Sequence, residues 1–595
     1  MKSYQLSLRF PSGSVLIGGY TAVPMGLHAV HAQDSCGRPI IPATALRGAL
    51  RETLEALLRG AGLDACSGGD GLPPGQATAA KRAVPCIDRD TGRRCKACQM
   101  FGSQRAGLDP EERSFSGLVL GEAKLAADVT PRWTVRPGVG VARKRRGAED
   151  HHLFMRKVPM VADDAFVATG RLLDSSLAPL FEIVVKNTTH LGAGRSRGLA
   201  RVQIELNWVD STTPEIAGFP LDGDVRVRMT LESPALIGVP VVTDNVRECR
   251  REIPGSTLRG AVGFALSELL TDPTDAAFQQ LVAPNGAQFG FLYPAASSAQ
   301  AVVGPLPITA SACKREAEKH GVVDTLLDRL AVLHITNPEQ AKKVRDSRLE
   351  TCSCKASLRG CSGPRGDAKK VTSRTVTRVA MDRSRCAASD EMLFSQEMLD
   401  AGSVFEGTIR NIPAQGRERL KQALSHPLSL GRGRSAGYGR VRVEVSSATA
   451  LDELEVRGKR FEDALKKRLL LAGLSLDRLK HLVPITLLAP LVTSSGAESD
   501  DGAELLRAAL GAKDCFLRAR RFSREGGWDQ RVGKMQPVLA TAAGGIFVMN
   551  LDRDWREVVP LLKQLEQQGI GERRCQGYGQ LLCFDPFFLS QTLTR

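Results

Sequence analysis

Apolar and polar residues alternate from the start of the chain. YQLSLRF at 4–10 puts Tyr4, Leu6, Leu8 and Phe10 on one face, the signature of a strand with one buried side, and a turn follows. The design returns as VRVRMTLESPALIG at 225–238 and again as LVPITLLAPLVTSSG at 482–496. Each reads as the opening strand of a unit. After the first two strands the apolar period lengthens to that of a helix. IPATALRGAL (41–50) and IPGSTLRGAV (253–262) share Ile-Pro, a small pair, then Leu-Arg-Gly. Pro42 and Pro254 fix φ just before a helix, and Thr44 and Ser256 carry hydroxyls that can reach free amides of its first turn. Leu46, Leu50, Leu54 and Leu57 form one stripe, as do Leu258, Val262, Ala265 and Leu269; Arg47, Arg51 and Arg259 fall on other faces.

Each unit closes on a glycine-rich loop: GAGRSRGLARV at 192–202, GRGRSAGYGRV at 431–441 and GIGERRCQGYGQL at 569–581. The first two loops are offset by 239 residues, and LFMRKVPM (153–160) and LFSQEMLD (393–400) by 240, against 212 for the Ile-Pro pair. Such agreement implies duplication with an insertion of about 28 residues between the landmarks. A turn-rich connector at 209–224 and a charged helical pattern at 452–472 divide the chain. The expected domains are a first unit at 1–210 with a cysteine-rich insertion, a second at 222–450 with a cysteine-containing insertion, a helical linker at 451–480, and a shortened third unit at 481–595. No Ile-Pro helix start is visible in the third. Strand, helix, then further strands fits an α+β chain of tandem ferredoxin-like (RRM-like) units.

Charge narrows the partner. A net charge of +16 and a pI near 9.4 point to a polyanion, RNA or DNA, whose condensed counterions are released when Lys and Arg neutralise phosphates. No run of 18 apolar residues exists to span a bilayer, and the N-terminus lacks the apolar stretch of a secretory signal, so a cytoplasmic protein with no membrane partner is expected. In that reducing compartment the 14 cysteines point to metal rather than disulfides. Cys86, Cys95 and Cys98 include a CxxC pair, and Cys66 completes a tetrahedral thiolate set for structural zinc, with Cys36 as rival fourth ligand. Cys352, Cys354 and Cys361, with Cys313 at a distance, form a second group that is either a zinc site or reduced structural thiols.

The glycine-rich loops are candidate anion sites. Gly192, Gly194, Arg195 and Arg197 in the first, Gly431, Arg432, Gly433 and Arg434 in the second, and Gly569, Gly571, Arg573 and Arg574 in the third combine close backbone approach with guanidinium donors. These loops run into strand-like VQIEL and VRVEV instead of helices, so they are not dinucleotide fingerprints, and no Walker-type sequence is present. A basic run at Arg143, Lys144, Arg145 and Arg146 is either an RNA-channel lining or plain solvated surface. Arg518, Arg520, Arg521 and Arg524 interleave with Phe516, Phe522 and Trp528, which either stack on bases or belong to the core.

On these helix starts and loops the chain resembles the RAMP superfamily of CRISPR proteins, and GIGERRCQGYGQ with GGWDQ at 526–530 is most similar to the large multi-RAMP subunits of type III-D effector complexes. That resemblance implies ferredoxin-like cores with zinc-binding insertions, CKACQMFG matching a zinc-carrying stretch. It also implies contact between the guide backbone and Thr44, Arg47, Arg51, Ser256, Thr257 and Arg259. The partners implied are CRISPR RNA near its five-prime handle, target RNA, other RAMP subunits and the polymerase-like large subunit. Cutting members of the family carry an aspartate shortly before the Ile-Pro motif. Counting back from Pro42 and Pro254 gives His28 and Pro240, with Asp34 and Asp244 nearby. The expectation is therefore a guide-binding subunit that is not an enzyme, the alternative being a metal-dependent endoribonuclease that cuts target RNA or processes the guide.

Overall fold

The computed structural model describes residues 2–590 apart from 19–26, 28, 35, 64, 66–93, 103–115, 143, 162–163, 196–197, 211–215, 240–244, 271, 273, 297–301, 334–353, 355, 367–370, 383–386, 450, 472–480, 495–499 and 530–532. Its architecture is α+β and built on antiparallel sheets. In the first unit the opening strand Lys2–Arg9 buries Tyr4, Leu6 and Leu8, and Leu6 sits opposite Ala168 in one neighbouring strand and Leu206 in the other. Strands run in the order second (Leu118–Leu120 and Ala123–Leu125), third (Phe166–Leu172), first, fourth (Gln203–Val209). Helices Ala43–Gly60 and Ala178–Asn187 pack their apolar stripes on this sheet.

The second unit repeats the order 2-3-1-4. Its strands are Val225–Leu231, a broken second strand at Gln288–Phe289 and Tyr293–Pro294, then Val404–Arg410 and Arg440–Ser447, with helices Gly255–Leu269 and Arg417–Ser425. The third unit does so again, with Leu482–Leu487, Asp514–Ala519, Ile546–Asn550 and Leu581–Cys583, and helices Ala503–Leu510 and Val559–Gln568. The first helix that was not visible in the third sequence is therefore present, shortened to eight residues. Its sequence AELLRAAL matches ATALRGAL and GSTLRGAV, and Leu506 fills the place of the fully buried Leu46 and Leu258. Gly502, in the left-handed region at φ 86°, replaces the proline at its start.

Between second and third strands each unit extends a hairpin: Arg132–Ala142 with Gly147–Met160, Ser373–Asp382 with Ala387–Leu399, and Phe522–Glu525 with Val538–Thr541. The linker helix Leu454–Leu471 sinks Leu454, Phe461, Leu465 and Leu469 into the third core. Two helical stripes differ slightly from expectation. Leu58 is buried at the end of the first, with Leu57 partly buried beside it, and in the second Leu266 is buried while Leu269 is exposed. Among the described residues no helix is long and apolar enough to cross a membrane.

Candidate nucleic-acid interface and metal centre

The three glycine-rich loops are the same structure. Gly192, Gly431 and Gly571 lie at φ +101°, +78° and +81°, and a methyl group on any of them would fall 2.3–2.6 Å from a carbonyl oxygen of the turn after the first strand. The next amide in each loop donates to that same oxygen: Ala193 to Leu16 at 2.7 Å, Arg432 to Leu236 at 3.0 Å and Glu572 to Val492 at 2.9 Å. This fixes the register. Gly571, and not Gly569, corresponds to Gly431; Gly569 is the C-cap of helix Val559–Gln568. Left-handed Gly194, Gly433 and Arg573 come two residues later, and each is followed by an arginine: Arg195, Arg434, Arg574.

Part of the loop backbone is committed to the fold itself. In the second loop the amides of Arg432, Ala436, Gly437, Tyr438 and Gly439 all donate to protein carbonyls. Arg434 lies 3.8 Å over the Phe264 ring, and burial draws its pKa below the usual arginine value against the pull of Glu268. Partial desolvation, with Arg247 nearby, lowers that of Arg432 likewise, although its side chain is exposed. Arg195 forms a two-point pair with Glu52 at 3.0 and 2.8 Å, both side chains about half exposed, and Arg574 is exposed. Arg197 lies outside the described residues.

The helix-start arginines bond to the protein itself. Neither helix has a side-chain cap: Thr44, Ser256 and Thr257 lie inside the first turn, and the amides of Ala45 and Thr257 go to Pro42 O and Pro254 O. Arg51 is 2% exposed, paired with Glu55 at 2.7 Å and bonded to Gly102 O at 2.9 Å, so its expected place on an RNA face is corrected to the core. Arg47 donates to Phe101 O, to Ser116 Oγ at 3.1 Å and to Ser435 O at 2.8 Å. Arg259 donates to Val282 O.

The hairpins carry most of the basic run and the exposed rings read from the sequence, together with Arg136, Arg156 and Arg247, which it had not singled out. Lys144, Arg145 and Arg146 form the exposed tip of the first, which also carries Arg136 and Arg156. Arg247, beside the second, lies 5.0 Å over the Phe394 ring. In the third unit Phe522 and Trp528 are 41% and 53% exposed, whereas Phe516 packs against the core. The strands' alternation of basic and apolar positions was the available signal.

Cys313, at the end of strand Ala310–Cys313, stands 3.6 Å from Cys354, sulfur to sulfur. With His320 these two form a cluster whose ligand atoms all lie within 4.8 Å of one another and which can hold a metal ion. The amide of Glu316 and then the His320 ring draw the Cys313 thiol down to about 6, favouring thiolate. Cys361 lies at the other end of that strand, its amide on Ala310 O, and burial raises its thiol pKa. His320 was not foreseen. Cys352, Cys66 and Cys86 lie outside the described residues; Cys95 and Cys98 are buried around a short helix, with Arg51 3.9 Å from the Cys98 sulfur, and Cys36 is exposed.

Residues 13–202, most of the first unit, match the family model described as the RAMP superfamily. No curated protein matches the chain. Solved structures similar to parts of it include two CRISPR complexes. A cryo-EM structure of the Type III-B Cmr-beta bound to cognate target RNA and AMPPnP is 11% identical, with a TM-score of 0.29, over 57% of this chain and 88% of its own. A Type IV-B CRISPR complex is 15% identical, with a TM-score of 0.24, over 34% of this chain and 90% of its own.

Proposed function

We propose that this chain is a non-catalytic CRISPR RNA-binding subunit of a type III effector ribonucleoprotein, of the III-D kind, that holds the guide near its five-prime handle in the cytoplasm. Its three units are read as ferredoxin-like repeats. The shared 2-3-1-4 strand order and the RAMP match of the first unit support that reading. The observation that carries it is the threefold recurrence of one loop that puts an arginine, Arg195, Arg434 or Arg574, directly after a left-handed residue. A periodic set of guanidiniums suits a periodic polyanion, and the charge of +16 suits it too. Exposed hairpin cations such as Lys144, Arg145 and Arg146 would extend the track, and Phe522 and Trp528 offer stacking faces.

Zinc is the ion proposed for Cys313, His320 and Cys354, since two thiolates and an imidazole are three of the four donors of a structural zinc site. The ion would lock the insertion that carries them onto the third unit, where Arg365 forms a two-point pair with Asp585. The test is binding of single-stranded RNA across a salt series, with sequencing of the RNA that copurifies. Steeply salt-dependent binding and recovery of repeat-derived ends are expected; salt-insensitive or absent binding would refute the reading.

A further inference from the structure

Adjacent units are joined by one interface used twice. At the first junction the glycine loop of the second unit presses on the broken second strand of the first: a methyl group at Gly437 would lie 2.2 Å from Leu120 O and 2.6 Å from the Cα of Gly121. At the second junction Gly577 stands in the same relation to Phe289 O and Gly290, at 2.4 and 2.9 Å. The third residue after each of these glycines repeats the logic. Arg440 reaches Thr169 Oγ1 at 2.7 Å, and Gln580 lies against Gly290, beside Thr408. Each acceptor therefore has a strand broken at a glycine and a threonine opposite it.

Among the described residues the two ends of the array differ. In the first unit's loop a methyl group at Gly198, the counterpart of Gly437 and Gly577, would meet nothing within 4 Å among the described residues, and Arg201, the counterpart of Arg440, is exposed. At the other end the acceptor is altered. Val548 stands where Thr169 and Thr408 stand, 23 residues before the first loop glycine, and faces Leu517 across a bulge between Cys515 and Leu517, with no glycine at the break. Arg507, in the place of Arg47, pairs instead with Glu504 at 2.7 Å.

We infer that the exposed edge at Gly198 and Arg201 docks onto a different protein chain, one with a sheet of the same 2-3-1-4 order whose second strand breaks at a glycine. The altered acceptor excludes a second copy, so this chain ends an array and does not propagate one. The inference deepens the subunit reading above and rests on it for the kind of partner. The test uses the full chain in its native particle, with a benzophenone amino acid at position 201 and, separately, Arg201→Glu. Expected are a cross-link to the glycine-containing edge strand of another protein, a fall of at least about tenfold in that partner's occupancy in the charge-reversed particle, and a monomer for the isolated chain. A cross-link to RNA or to a second copy, no cross-link, unchanged particle composition, or self-association of the isolated chain would overturn it. RNA content of the same particles is read separately, so loss of the guide-binding reading would not be mistaken for loss of this contact.

Discussion

Arg47 of the first unit donates a hydrogen bond of 2.8 Å to the carbonyl oxygen of Ser435, 388 residues away in the glycine loop of the second. A residue that sequence places on the free face of a helix therefore holds two units together. Its remaining donors go to Phe101 O, Leu118 O and Ser116 Oγ.

Arg47→Ala should accordingly act on stability before RNA. It leaves several part-buried oxygens without their donor, and a loss of about 2–4 kcal/mol is expected in chemical denaturation. The salt slope of RNA binding by the folded fraction should not change. A slope smaller by about one would instead put Arg47 on a phosphate.

Replacing Arg432 and Arg434 together with alanine should do the reverse. Arg432 is exposed, and Arg434 loses mainly its contact with Phe264, worth about 0.5–1 kcal/mol. RNA affinity should fall, and the log–log salt slope should shrink by about 0.7 for each phosphate contact removed from a single strand. Unchanged affinity with an unchanged slope would remove this loop from the interface.

Elemental analysis of purified variants checks the metal centre. Cys313→Ser and His320→Gln should each lower zinc by about one equivalent and expose the insertion to proteolysis, since metal binding and local folding are coupled. Cys361→Ser, altered at the far end of the strand, should keep its metal. Equal zinc in all three proteins would refute the assignment.

What was legible in the sequence follows from how directly residue spacing encodes geometry. Tyr4, Leu6 and Leu8 alternate because a pleated strand sends every second side chain to one face, and all three are buried. The third unit's helix escaped notice because the search was anchored on Ile-Pro, while the retained Leu506-Arg507 pair carried the repeat. His320 was hidden for another reason: nothing in its seven-residue separation from Cys313 resembles a zinc knuckle, and only a short helix brings the ring back to the sulfur. Arg47 and Arg51 show the limit most clearly. Both lie off the apolar stripe, yet partner carbonyls and Glu55 draw them inward, and no spacing announces which oxygen will be waiting.

His31 makes stability pH-dependent. Its Nδ1 accepts from Ile17 N at 3.1 Å, and burial pushes its pKa from 6.5 down to about 4. A depressed folded pKa gives stability that is full above the unfolded value of 6.5 and lost as pH falls through the folded value near 4. Up to about 3 kcal/mol should disappear across that window. His31→Asn keeps an acceptor for the Ile17 amide but cannot titrate, so its stability should be flatter over the same range. Parallel acid limbs for the two proteins would show that other groups dominate.

The last prediction is that this subunit does not cut RNA. Cleavage assisted by a hard cation such as Mg²⁺ needs oxygen ligands, best supplied by a carboxylate, and neither the imidazole of His28 nor the ring of Pro240 is one. Both residues lie outside the described residues, as does Asp244, so the nearby carboxylate whose surroundings are known is Asp34. Its Oδ1 accepts from the amides of Cys36 and Arg38, both at 2.9 Å, and its own amide donates to Arg38 O at 2.9 Å. Those bonds make it the closing residue of a turn, which explains an aspartate there without chemistry. Assembled complex should be incubated with matched target RNA and Mg²⁺, comparing the native chain with Asp34→Ala and Asp244→Ala. Asp34→Ala should lose about 1 kcal/mol of stability through its turn and leave every cleavage product in place, and Asp244→Ala should leave the same pattern. Loss of one product in either variant, with RNA binding intact, would make that aspartate catalytic and this chain a nuclease.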